Sequence, residues 1–107
     1  IGDVRGKTCV IYDDMIDTAG TITQAADVLT SEHGASAVMA CASHGVLSGP
    51  ALQRLENSHL SETLLTDTIP LPEGAEKARI RTLPAAPLLA EAMHRIISGA
   101  SLSALFE

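Results

Sequence analysis

Val10-Ile11-Tyr12-Asp13-Asp14-Met15-Ile16-Asp17-Thr18-Ala19-Gly20-Thr21 is the stretch that decides the fold. Its opening belongs to an apolar run over residues 8–12, rich in β-favouring side chains, that stops at an acidic pair. That is the profile of a strand buried on both faces, as in a parallel sheet. Residues 13–21 are small and polar and form a loop. Downstream, Ile22, Ala25, Ala26 and Leu29 recur at helical spacing over residues 21–33, and Gly34 supplies the stop. Thr21 and Gln24 stand three apart, the spacing of a capping box at the helix entrance.

The same alternation continues outward. Residues 36–42 form a second apolar run, broken by Ser43-His44-Gly45, and residues 49–56 predict a short helix with Pro50 near its first turn. A third strand is expected at 62–66. Pro70, Pro72 and Gly74 mark a loop, and 79–83 alternates like a fourth strand, with Arg79 and Arg81 on a solvated face. From Pro87 a last helix carries two apolar ladders, Leu88/Ala92/Ile96 and Leu89/Met93/Ile97. Gly99 closes it, and 101–106 reads as a final short turn. Strands alternating with helices predict an α/β fold with a mostly parallel sheet flanked by helices.

The loop is more than a connection. In parallel α/β sheets ligands sit outside the carboxyl ends of the strands. A helix N-terminus there offers unpaired N–H groups and the positive end of a dipole. Ala19 and Gly20 let backbone approach an anion, and Thr18 and Thr21 add hydroxyl donors, the parts of a phosphate cradle. Carboxylates repel phosphate and only accept hydrogen bonds, so Asp13 and Asp14 call for hydroxyl donors or a metal ion. A sugar with vicinal hydroxyls at one end and a phosphate at the other satisfies both halves. It would place its hydroxyls at Asp13 and Asp14 and its phosphate over Asp17, Thr18, Ala19, Gly20 and Thr21.

These residues resemble the phosphoribosyl-pyrophosphate motif of type I phosphoribosyltransferase folds. Further along, Ser48-Gly49-Pro50-Ala51, Asp67-Thr68-Ile69-Pro70, Leu88-Leu89-Ala90-Glu91-Ala92-Met93-His94-Arg95-Ile96 and Ser101-Leu102-Ser103-Ala104-Leu105-Phe106 are similar to ribose-phosphate pyrophosphokinases. The resemblance covers essentially the whole chain. It implies a type I phosphoribosyltransferase-like partial domain over residues 1–107, from the C-terminal part of an enzyme moving the pyrophosphoryl group of ATP to ribose 5-phosphate. Magnesium is required for that reaction and a homo-oligomer, a hexamer in the family, is implied. Asp13 then holds ribose hydroxyls, Asp14 supports the sugar site, and Asp17, Thr18, Ala19, Gly20 and Thr21 hold the 5-phosphate. Ser101 and Ser103 resemble residues bordering a regulatory anion site, with capping of the last turn as the plain alternative. Position 19 is Ala where many relatives have Gly, which matters if that position needs φ > 0. The catalytic cations, metal ligands and adenine pocket of the family precede this segment, so none falls in this chain.

Composition narrows the alternatives. The chain has 107 residues, enough for one small domain, and carries 13 acidic against 7 basic residues for a net charge of -6. Nucleic acid as a main partner is disfavoured, because phosphate backbones demand clustered Lys and Arg. No long apolar run or targeting motif points to a membrane or secretion. Cys9 and Cys41 lie in apolar runs and are expected as buried free thiols in a reducing cytosol. His33, His59 and His94 lack metal spacing, and His44 is expected to bond backbone from a loop. The first residues, Ile1-Gly2-Asp3, lack a methionine, and the first strand signal follows at Thr8, as expected for a piece of a longer protein. Two other functions stay open: a receiver-type signalling domain, with Asp67 as phospho-acceptor, and a non-catalytic regulatory relative of the enzyme.

Overall fold

A computed structural model describes residues 2–107. Four strands, β1 (Thr8–Ile16), β2 (Ala37–Gly45), β3 (Leu60–Thr66) and β4 (Ile80–Leu83), form one sheet in sequence order, every neighbouring pair parallel. Between them lie α1 (Gly20–Ser31), α2 (Ala51–Glu56) and a 3-10 turn at Ala75–Ala78. After β4 come α3 (Ala86–Ser98) and a last turn at Ser103–Leu105. The expected α/β architecture is present, and its sheet is parallel throughout.

Patterning explains the core. Val38, Ala40 and Ala42 share one face of β2 and continue onto β3 through Thr63 and Leu65, all buried. Ile22 and Ala26 of α1 and Ala51 and Leu55 of α2 are buried in the same cluster. Alanines at the contact let helices approach the sheet closely. Gly45, at the end of β2, marks the tightest spot: a Cβ there would lie 2.5 Å from Leu65 Cδ1. Leu65 is 1% exposed and has nowhere to go. Gly45→Ala is therefore expected to lower unfolding stability by about 1–3 kcal/mol, the usual range for overpacking, read by chemical denaturation. An unchanged denaturation midpoint would mean Leu65 repacks freely.

The structure departs from the sequence reading at several boundaries. β1 does not stop at Tyr12. It continues through Asp13 and Asp14 to Ile16, because β2 runs equally far and offers ladder partners: Met15 pairs with His44 and Ile16 with Gly45. Nor is β1 buried on both faces. It is an edge strand, and Val10 and Tyr12 are 64% and 74% exposed. Cys9 and Cys41 are free, as expected, but only half-buried.

The capping box does not form either. Residue 19 is the N-cap of α1, no side chain caps that end, and Thr23 Oγ1 instead donates to the Ala19 carbonyl at 2.8 Å. Gly99 closes α3 as expected, at φ 72°, yet no residue of α3 is buried, and Leu88, Leu89, Met93, Ile96 and Ile97 of its two apolar ladders are exposed. Among the described residues α1, α2 and, through Ala78, the 3-10 turn add buried side chains to the core, and α3 adds none. Arg79 lies outside β4, in the left-handed region at φ 54°. Its guanidinium donates to the carbonyls of Leu55, Glu56 and Ser58, each at 3.2 Å, closing the C-terminal end of α2 rather than facing solvent. Arg81 pairs with Glu62 at 2.7 Å.

Candidate functional site

The connection from β1 to α1 is only Asp17-Thr18-Ala19. It borders a cleft of about 190 Å³ lined by Asp13, Met15, Ile16, Asp17, Thr18, Ala19, Gly20, Thr21 and Ile22. The cleft therefore lies at the carboxyl end of a parallel strand and the amino end of a helix, where unpaired N–H groups gather.

Strand alternation splits the acidic pair. Asp13 is registered with Ala42, on the face that α1 covers, and lines the cleft. Asp14, one residue on, starts from the opposite face and does not line it. The pair expected to act side by side is thus divided, with one carboxylate at the cleft. Asp13 Oδ1 also accepts the Asp14 backbone N–H at 2.8 Å, leaving the other oxygen of that carboxylate free for a ligand.

Ala19 takes φ 61°, ψ 9°, the left-handed conformation that suits glycine. The condition attached to position 19 is met: its backbone needs positive φ, and an alanine occupies it at a strain of roughly 1–2 kcal/mol. The side chain is buried, 5% exposed, which helps hold the turn. A left-handed residue between a strand and a helix turns successive N–H groups toward one point, the concave arrangement that accepts anions.

Residues that the sequence did not connect to this loop brace it from behind. Val46 and Leu47 N–H groups donate to the Ile16 carbonyl at 3.0 and 3.1 Å, and the Ser48 N–H donates to the Asp17 carbonyl at 3.1 Å. The Ser48 hydroxyl donates to Asp17 Oδ1. Arg54, on α2, donates from Nη1 to the Thr18 carbonyl at 3.0 Å. The nearest basic residues in sequence are Arg5 and Lys7, so a reading along the chain leaves the loop without a cation. The consecutive strand-helix units place α2 beside α1, and that topology was the available signal.

The other candidates resolve as follows. His44 lies within β2, not in a loop, and its Nδ1 is 2.7 Å from the Thr68 hydroxyl rather than bonded to backbone. His59 pairs with Asp27 at 2.7 Å. Among the described residues no group of three or more His, Cys, Asp or Glu side chains is arranged to hold a metal ion. Asp67 Oδ1 accepts the Ala85 N–H at 2.7 Å, tying the loop after β3 to the start of α3. The hydroxyls of Ser101 and Ser103 lie 2.7 Å apart, Arg95 donates to the Ser101 carbonyl at 2.9 Å, and neither serine caps the last turn.

The family model for the phosphoribosyl synthetase-associated domain matches residues 1–107. The chain belongs to this family. It is 55% identical, over 99% of its length, to a ribose-phosphate pyrophosphokinase of Caldanaerobacter subterraneus subsp. tengcongensis, and 54% identical, also over 99%, to one of Nitrosomonas europaea. These alignments cover 33% and 34% of the two relatives, so the chain spans about a third of their length. A phosphoribosylpyrophosphate synthetase from Mycobacterium smegmatis superposes with a TM-score of 0.85 at 44% identity, over 94% of this chain and 33% of that one. Family membership sets the receiver-domain reading aside. As for membranes, no helix among the described residues is long and apolar enough to cross one.

Proposed function

We propose that this phosphoribosyl synthetase-associated domain supplies the ribose 5-phosphate site of a cytoplasmic, homo-oligomeric ribose-phosphate pyrophosphokinase, as its C-terminal part. The observation that carries the reading is the cleft, which joins one carboxylate, Asp13, to a helix-opening turn of small residues, Asp17 to Thr21. A phosphate accepts hydrogen bonds only, so it belongs over the N–H groups and hydroxyls of the turn. Vicinal hydroxyls are donors and belong at Asp13. Asp14 supports the site from the neighbouring strand position.

In the reaction, the anomeric hydroxyl oxygen of ribose 5-phosphate attacks the β-phosphorus of ATP. The bond between the β-phosphorus and the oxygen bridging it to the α-phosphate breaks. AMP leaves, and the hydroxyl proton is lost. Such transfers are accelerated mainly by positioning and charge stabilisation. This chain's contribution is positioning: holding the sugar phosphate at two ends fixes its anomeric oxygen. When bound, magnesium would be held chiefly by the nucleotide's phosphates, where it would offset their charge. Ser101 and Ser103 are proposed as the border of a regulatory anion site.

The test is Thr21→Ala in the complete enzyme. Losing one contact to a charged phosphate should weaken ribose 5-phosphate by about 1.5 kcal/mol, roughly tenfold, by calorimetry. Unchanged affinity would remove Thr21 from the cradle.

A further inference from the structure

We propose that Arg54 is a positioning residue for the phosphate cradle: from behind the loop it fixes the orientation of the peptide joining Thr18 to Ala19. The inference rests on the reading of the cleft as a phosphate site.

Arg54 Nη1 donates to the Thr18 carbonyl at 3.0 Å. There are no cis peptide bonds among the described residues, and in a trans peptide the C=O and the following N–H point in opposite directions. Holding the Thr18 carbonyl on the α2 side therefore aims the Ala19 N–H away from Arg54. Ala19 itself is in the left-handed region at φ 61°, a conformation that neighbouring contacts must maintain. Gly20 completes the fit, since a Cβ on it would lie 3.2 Å from Arg54 Nη1. Guanidinium and loop backbone lie close together here, so a side chain at position 20 would press on the Arg54 guanidinium.

Charge gives a second reason. The stretch from Asp13 to Thr21 carries the carboxylates of Asp13, Asp14 and Asp17 and no basic residue, yet it is to receive a phosphate dianion. The other six cations of the chain are engaged or distant. Arg79 closes α2, Arg81 pairs with Glu62, Arg95 pairs with Glu91, and Lys77 lies in the 3-10 turn. Arg5 and Lys7 precede β1, at its far end from the cleft. Among the described residues, Arg54 is the Lys or Arg that donates to the loop. Its side chain is exposed, so water screens the bond and the effect on folding stability is small. The effect is expected in ligand binding.

The experiment compares Arg54→Ala, Arg54→Gln and Arg54→Lys with the unaltered complete enzyme. Ribose 5-phosphate binding is measured by calorimetry, and KM for each substrate and kcat by AMP release. Ribose 5-phosphate affinity should fall on the order of tenfold in the Ala and Gln variants, with KM for ATP unchanged. Lysine, or guanidinium ion added to the Ala variant, should restore part of it. Ribose 5-phosphate affinity within twofold of the unaltered enzyme in folded Ala and Gln variants would overturn the proposal. So would equal rises in both KM values, which indicate a general loss of structure. Should the Ala variant not fold, the Gln and Lys variants decide the matter. If the unaltered enzyme binds no ribose 5-phosphate, the parent reading fails; if it binds and the variants bind equally well, only the role of Arg54 fails.

Discussion

The 107-residue chain on its own is expected to release no AMP above background from ATP, ribose 5-phosphate and magnesium. Pyrophosphoryl transfer brings the negative charge of ATP and of the sugar phosphate together, and that charge must be offset in the transition state. A single well-placed arginine can be worth ~10³–10⁵ in rate. None of the seven Lys and Arg residues is among those that line the cleft, and Arg54 donates to the back of the loop. An adenine platform is missing as well, because Tyr12 and Phe106 are the only aromatic residues and neither lines the cleft. On the proposed reading, the other half of the active site is supplied from outside this chain. Turnover by the purified chain near that of the complete enzyme, with contamination excluded, would show that the catalytic cations are misplaced in this account.

Asp13→Asn in the complete enzyme should separate sugar from phosphate. The carboxylate accepts from ribose hydroxyls in this account, and charge-assisted bonds of that kind contribute about 1.5–3 kcal/mol, or roughly 10- to 100-fold in affinity. Ribose 5-phosphate should weaken by that factor. Inorganic phosphate should bind as before or slightly tighter, because a nearby negative charge has been removed. Parallel calorimetric titrations check both. Equal weakening of the two ligands would refute the sugar-hydroxyl role of Asp13.

The residues show why some of this was legible in sequence and some was not. The alternation of apolar runs with helical spacing was enough for a parallel α/β sheet, and Gly99 marked the end of α3 because left-handed termination is a property of single residues, whereas α1 ends at Ser31, short of Gly34. Strand ends were different. Whether Asp13 and Asp14 belong to loop or strand depends on how far β2 runs beside them, which a local pattern cannot express. The same non-locality divided the acidic pair between two faces and hid Arg54, 36 residues from its partner Thr18. Exposure was equally illegible. Val10 and Tyr12 look like core by composition, but an edge strand buries only what a neighbour covers. The ladders of α3 have the spacing of a packed helix and no packing partner among the described residues. Position 19 lay between these cases: its dependence on positive φ could be posed from sequence, and only backbone geometry could answer it.

The most direct test of the central claim is a crystal structure of the complete enzyme with ribose 5-phosphate bound. Phosphate oxygens are expected within hydrogen-bond distance of the backbone N–H groups of residues 18–21 and of the Thr21 hydroxyl, with ribose hydroxyls on the Asp13 carboxylate. A sugar phosphate bound elsewhere, with this cleft holding only solvent, would contradict it.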